Sequence, residues 1–84
     1  MDWSKFEPTD FEYDFENDEL YFHRIRYEEA VECFYNDFQI RRNKRAIATN
    51  RFQLIGQTFG GRKLKIIFQL KANSVVRIIT GWDV

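Results

Sequence analysis

The chain has 84 residues, enough for one small domain, and 18% of them are aromatic, which supplies large side chains for a core. The single cysteine excludes an internal disulfide, and one cysteine with one histidine cannot form a structural zinc site, so no metal or other cofactor is expected. No apolar run approaches the roughly 20 residues of a membrane span, and the N-terminus is acidic where a secretory signal is basic, so we expect a cytoplasmic protein.

The net charge of zero conceals opposite charges in the two halves of the sequence. Residues 1–37 hold twelve acids against three bases, a net charge of −9, and residues 38–84 hold ten bases against one acid, a net charge of +9. Such an asymmetry either pairs an acidic layer with a basic sheet inside the protein or leaves a positive surface that binds phosphate groups.

The first half of the chain predicts short elements. Residues 1–10 are expected to form an irregular N-terminal arm, and residues 11–84 a single α+β domain. Alternating aromatic and acidic residues predict an edge strand over 11–15, followed by a short helix over 17–22 that Asp14 is suited to cap. Apolar residues spaced by three and four predict a second helix from about 27 to 35, in which Cys33 is a buried, unreactive thiol.

The second half of the chain predicts most of the sheet. A strand over 38–40 leads into a basic loop, and three longer strands follow over 51–59, 62–71 and 75–82. The Gly60-Gly61 pair predicts a two-residue hairpin turn with both glycines at positive φ, and Asn73 is suited to a left-handed position in the next turn.

Alternation within these strands predicts a sheet with one buried face and one cationic face. In the last strand it places Thr80 and Trp82 on the apolar side and Gly81 on the other. A cationic face is typical of a solvated surface, and also of a surface that neutralises RNA phosphates. The candidates for this face are Arg51, Lys63, Lys65, Lys71 and Arg77.

Two groups of side chains are candidates for function. The strongest nucleic-acid signal is the basic loop at residues 41–45, together with Lys63 and Lys65 on the strand over 62–71. The same loop would also suit an acidic protein segment, including the first half of this chain. Phe59 and Tyr35 are candidates for stacking RNA bases. His23 alone has an ordinary pKa near neutrality, which suits acid–base chemistry on a ribose 2′-hydroxyl, but a lone histidine is more often structural. The cations of the loop are Arg41, Arg42, Lys44 and Arg45.

In order and spacing, several short motifs resemble the BrnT family of toxin-antitoxin ribonucleases, whose fold is similar to that of RelE. The resemblance covers about residues 11–80. It implies an antiparallel sheet of about four strands with two short helices on one face, metal-independent cleavage of RNA, and inhibition by a ribbon-helix-helix antitoxin. It points to His23, Arg51 and Arg77 as catalytic residues. The matching segments are Phe11-Glu12-Tyr13-Asp14, His23, Tyr27-Glu28-Glu29-Ala30, Arg51-Phe52, Ile55-Gly56, Gly61-Arg62 and Arg77-Ile78-Ile79.

The chain departs from this family in two places. It has Phe22-His23-Arg24 where the family usually has Lys-His-Gly, and it ends at Val84 without the family's basic C-terminal helix. Loss of that helix removes cations and uncovers apolar surface, which either the N-terminal arm or a second copy of the chain, as a homodimer, would cover. The alternative function is therefore a catalytically inactive RNA- or protein-binding module of the same fold, and a third is an oligomerising scaffold.

Overall fold

The structure is a computed structural model, which describes residues 3–42 and 50–84. This part of the chain contains a sheet and two short helices, so the predicted α+β fold class is confirmed. One-turn 3-10 helices lie at Trp3–Lys5 and Ala72–Ser74. The strands and α-helices in chain order are β1 (Asp10–Tyr13), α1 (Glu19–Phe22), α2 (Tyr27–Glu32), β2 (Gln39–Arg42), β3 (Arg51–Gln57), β4 (Lys63–Lys71) and β5 (Val75–Asp83).

The strands form one sheet in the order β1-β5-β4-β3-β2. The pairs β2–β3, β3–β4 and β4–β5 are antiparallel, as expected. β1 pairs parallel to β5, which gives the sheet five strands and makes it mixed. The parallel pairing places Phe11 opposite Val76 and Tyr13 opposite Ile78, so the aromatic residues of β1 join the apolar side of β5.

The side chains of Asp18 and Tyr13 fix the start of α1. Asp18 is the N-cap residue, and its carboxylate accepts a hydrogen bond from the Tyr21 N–H at 3.1 Å. The Tyr13 hydroxyl donates to the same carboxylate and accepts from the Leu20 N–H at 2.9 Å. The capping role predicted for Asp14 is therefore wrong, because its carboxylate accepts from backbone N–H groups of the preceding turn instead.

Both helices and the N-terminal residues pack on one side of the sheet, which we call the core face. Leu20 of α1 and Ala30 of α2 are completely buried. The Trp3 ring lies edge-on to Phe52, with ring centroids 5.0 Å apart, and Phe6 beside it is 8% exposed. Large apolar side chains drive this packing by removing area from water. The fully buried strand residues beneath are Leu54, Leu64, Ile66, Phe68 and Val76.

The turn between β3 and β4 is longer than the sequence predicts. The Gly61 N–H donates to the Thr58 carbonyl at 3.0 Å, and the Thr58 N–H donates to the Arg62 carbonyl at 2.9 Å. These bonds close a turn whose central residues are Phe59 and Gly60, with Gly61 after it at φ 89°. The two-residue Gly-Gly turn is therefore wrong, because only one of the two glycines takes positive φ. In the β4–β5 turn, Asn73 has φ 63°, which confirms its left-handed position.

A β-bulge in β5 reverses the faces of its last residues. Ile67 pairs with Thr80, but the next residue of β4, Phe68, pairs with Ile78, so Ile79 has no partner in β4. One extra residue shifts the two-residue period and turns each later side chain to the other face. The face assignment predicted for the end of this strand is therefore wrong: Gly81 faces the core, opposite Ile66, and Trp82 lies on the other side.

Candidate nucleic-acid interface

The side of the sheet opposite the helices, which we call the open face, gathers cations from four strands. Residues paired across neighbouring strands share a face, and so do residues two apart along one strand. This confirms that the five cations predicted for one surface lie together, with Arg41 of β2 beside them. The open-face cations are Arg41, Arg51, Lys63, Lys65, Lys71 and Arg77.

One edge of the open face is neutralised by the protein's own carboxylate. Glu12 lies on β1 opposite Arg77, and its Oε1 is 3.8 Å from Arg77 Nη1 and 2.8 Å from Lys71 Nζ. Such half-exposed pairs are weak in water, but they lower the positive potential at this edge. Two of the six open-face cations therefore already have an acidic partner.

The remaining cations form a band across β2, β3 and β4. Within residues 3–42 and 50–84, no carboxylate oxygen lies within 4.0 Å of Arg41, Arg51, Lys63 or Lys65. The buried Nε of Arg51 has no hydrogen-bond acceptor among these residues, and neither does the buried hydroxyl of Thr80. The band therefore keeps its positive charge for an anionic ligand.

Arg51 and Arg77, two of the three predicted catalytic residues, lie in one cross-strand row. Gln69 of β4 pairs with Arg51 on one side and with Arg77 on the other. Neighbouring strands are about 4.8 Å apart, so the Cα atoms of the two arginines are separated by about 10 Å. Two guanidinium groups at this spacing suit neighbouring phosphates of one strand of nucleic acid.

His23, the third predicted catalytic residue, lies beside Trp82. It is the C-cap of α1 and is exposed, and its ring centroid is 6.1 Å from that of Trp82. The Lys65 ammonium lies over the same Trp82 ring, 5.8 Å from its centroid. Lys65 precedes Gln69 by four residues on β4, or about 13 Å along the strand. His23 and Lys65 thus each lie close to the Trp82 ring, and the described residues show no contact of His23 with Arg51 or Arg77.

Arg62 ties the end of α1 to the sheet. Its Nη1 donates to the Arg24 carbonyl at 2.8 Å and lies 3.2 Å from Glu29 Oε1, while its Nε donates to Asp83 Oδ1 at 2.7 Å. The Arg26 N–H donates to Glu29 and, together with Arg62, lowers the pKa of that carboxyl. The sequence did not predict this role, because nothing around Arg62 in the sequence indicates that the Glu29 and Asp83 carboxylates lie beside it in the fold.

Three aromatic rings are exposed, one on the open face, one at the turn at its end and one after α2. Trp82 is 37% exposed on the open face beside Lys65, and Phe59 is 68% exposed at the tip of the β3–β4 turn. Tyr35 is 59% exposed after α2, so both stacking candidates taken from the sequence have accessible rings. The Phe59 N–H donates to Glu32 Oε1 at 2.9 Å, which holds the tip of the turn against α2.

The predicted basic loop is described only at its beginning. Arg41 pairs with Gln53 and lies on the open face, whereas Arg42 pairs with Phe52 and lies on the opposite side of the strand. Lys44 and Arg45 lie outside the described residues. The structure therefore assigns only Arg41 of this loop to the same surface as Lys63 and Lys65.

The described residues offer little for other chemistry. Cys33 is buried, its Sγ donates to the Glu29 carbonyl, and burial raises the pKa of the thiol to about 11. Between residues 3 and 42 and from 50 onward, no three or more His, Cys, Asp or Glu side chains are placed to hold a metal ion. No helix in these two segments is long and apolar enough to cross a membrane.

No protein-family model matches this chain, and no curated protein matches it either.

Proposed function

We propose that this protein binds RNA through the open face of its sheet. The observation that carries the proposal is the band of four cations that have no carboxylate partner among the described residues, Arg41, Arg51, Lys63 and Lys65, next to the exposed ring of Trp82. Cations bind phosphates by releasing counterions, and aromatic rings stack on unpaired bases. Both features on one surface favour single-stranded RNA over an acidic protein segment.

The salt dependence of binding tests this proposal. Each phosphate neutralised on a single strand contributes about −0.7 to the slope of log K against log salt, so four contacts give a slope of about −3. Arg51→Gln and Lys65→Gln should each make the slope shallower by about 0.7. The matched control is Lys5→Gln, an exposed lysine of the N-terminal turn on the core-face side of the molecule. Equal slopes for all three variants, or no binding at low salt, would contradict the proposal.

We further propose that the protein cleaves RNA, as a metal-independent endoribonuclease toxin similar to BrnT. The arrangement of His23, Trp82 and Lys65 favours this activity. The His23 imidazole takes the proton of a ribose 2′-hydroxyl, whose oxygen then bonds to the adjacent phosphorus. The bond from phosphorus to the 5′-oxygen of the next nucleotide breaks, and that oxygen leaves with the electron pair and takes a proton from water. The Lys65 ammonium stabilises the negative charge that develops on the phosphate oxygens, and Trp82 stacks on a base.

In this proposal, Arg51 and Arg77 bind phosphates beyond the cleaved bond. Their row on the sheet is about 13 Å from Lys65, a distance that suits positioning of the strand. A ribbon-helix-helix antitoxin would be the protein partner, because a cell that makes an RNA-cleaving protein must inhibit it.

Inducible expression in a bacterium tests for cleavage. Growth arrest with loss of RNA, relieved by His23→Ala, is the expected result. Purified His23→Ala protein should keep the RNA affinity and salt slope of the wild type, since the imidazole is not part of the cationic band. RNA binding without arrest or RNA loss would instead identify a catalytically inactive RNA-binding module.

A further inference from the structure

A groove of about 640 Å³ lies at the end of the open face, between the β3–β4 turn and the segment that joins α2 to β2. Its volume falls in the range of small-molecule and nucleotide sites. Lys63, one of the open-face cations, lines the groove together with Phe59 at the tip of the turn. The groove is therefore continuous with the surface proposed to bind RNA.

Two hydrogen bonds hold the walls of this groove in place. Asn36 Nδ2 donates to the Gln57 carbonyl at 2.7 Å, which joins the segment after α2 to β3. The bond from the Phe59 N–H to Glu32 Oε1 fixes the turn on the other side, while the Phe59 ring stays 68% exposed. The ring is thus a preformed surface on which a planar group can stack.

The polar side chains of the groove are suited to a nucleobase. Asp37, Gln39 and Gln57 line it, and none of their side chains has a hydrogen-bond partner in the described parts of the chain. A carboxylate only accepts hydrogen bonds, whereas an amide both donates and accepts. Guanine alone presents two adjacent donors, N1–H and N2–H₂, beside the acceptor O6, so it matches a carboxylate flanked by amides.

We propose that this groove accepts one unpaired nucleobase of the bound strand, stacked on Phe59, and that Asp37 makes guanine the preferred base. The inference rests on the proposed RNA binding and adds a base preference to it. Lys63 at the groove neutralises the phosphate of the same nucleotide, which joins base recognition to the cationic band.

Binding of two single-stranded oligonucleotides tests the proposal: eight uridines, and the same strand with one central guanosine. The wild type should bind the guanosine strand more tightly. Phe59→Ala should weaken that binding by about 5- to 100-fold, the range for loss of one stacked base, and Asp37→Asn should remove the preference for guanosine. Phe22→Ala and Glu7→Gln are matched controls, since Phe22 is 80% exposed on α1 and Glu7 is exposed near the N-terminus.

The outcomes separate the groove from the cationic band. If the wild type binds RNA and Phe59→Ala binds it equally well, the groove is not a base-binding site, although the protein still binds RNA. If Asp37→Asn keeps the preference for guanosine, Asp37 does not select guanine. If the wild type binds no RNA, the proposed function fails. Titration with guanosine monophosphate then tests whether the groove binds a guanine base. Saturable binding that Phe59→Ala abolishes would support it, and absence of binding would overturn it.

Discussion

Replacing Gly81 with alanine should destabilise the protein through a contact between β4, β5 and α1. A Cβ atom at Gly81 would lie 2.7 Å from Ile66 Cδ1, 2.9 Å from the Lys65 carbonyl oxygen and 3.4 Å from Leu20 Cδ2. The Ile66 side chain can turn away. The Lys65 oxygen cannot, because it belongs to the backbone of β4, so the two strands have to separate.

The expected cost is that of overpacking a core, about 1–3 kcal/mol. A domain of this size has a free energy of unfolding of about 4–13 kcal/mol, so the loss is a sizeable fraction of the total. Each kcal/mol lowers the melting temperature of a domain this small by about 4–8 °C. Urea unfolding followed by tryptophan fluorescence measures the change directly, because Trp82 is next to the substituted residue.

Gly60→Ala is the matched control for this substitution. Its nearest non-neighbouring atom, Thr58 Oγ1, would be 3.8 Å from the new Cβ, an ordinary contact, so the free energy of unfolding should change by less than about 0.5 kcal/mol. Equal stability of the two variants would refute the pairing of Gly81 with Ile66. The bulge at Ile79 and the position of Trp82 on the open face would then fail with it, since all three depend on the same register.

Three further predictions follow from single contacts. Glu12→Gln should tighten RNA binding, because Lys71 and Arg77 lose their acidic partner. The slope of log K against log salt should become steeper by about 0.7 for each of these two side chains that binds a phosphate. An unchanged slope would show that they do not reach the RNA. Burial and the Asp18 hydrogen bond raise the pKa of Tyr13 to about 12, which favours the protonated hydroxyl in the folded state. The resulting stability is present below pH 10 and lost between pH 10 and 12, so urea unfolding at pH 8 and 11.5 should show a larger loss in the wild type than in Tyr13→Phe, and equal losses would contradict this assignment. Cys33 should react with a thiol reagent at pH 8 only as fast as the protein unfolds, because its buried thiol has a pKa of about 11, and rapid labelling of the folded protein would contradict its burial.

The opposite charges of the two halves of the sequence have two consequences in the structure. Glu29 of the acidic half forms an ion pair with Arg62, and Glu12 forms ion pairs with Lys71 and Arg77 at the edge of the open face. These contacts join the two halves of the chain, as the first interpretation of the asymmetry expected. They leave the cations of β3 and the first part of β4 unpaired among the described residues, as the second interpretation expected.

The candidate site could be predicted from the sequence wherever it depends on alternation within one strand. Lys63 and Lys65 share a face because they are two residues apart. Arg51 joins them only because the observed turn, centred on Phe59 and Gly60, pairs it with Gln69; the predicted Gly60-Gly61 turn would have paired it with Leu70. The neighbours of His23 could not be predicted this way. They depend on Trp82, whose face is set by an unpaired Ile79 that no local pattern marks.

The sequence by itself determined the α+β class, the three long strands and the separation of an apolar from a cationic side. These features follow from composition and from spacings of two to four residues, which act within one element. Only the tertiary structure decided that β1 runs parallel to β5, that the turn tip presents Phe59, and that His23 and Lys65 each lie close to the Trp82 ring. The physical reason is that strand register and helix docking depend on contacts between residues far apart in the chain, and one inserted residue reverses every face beyond it.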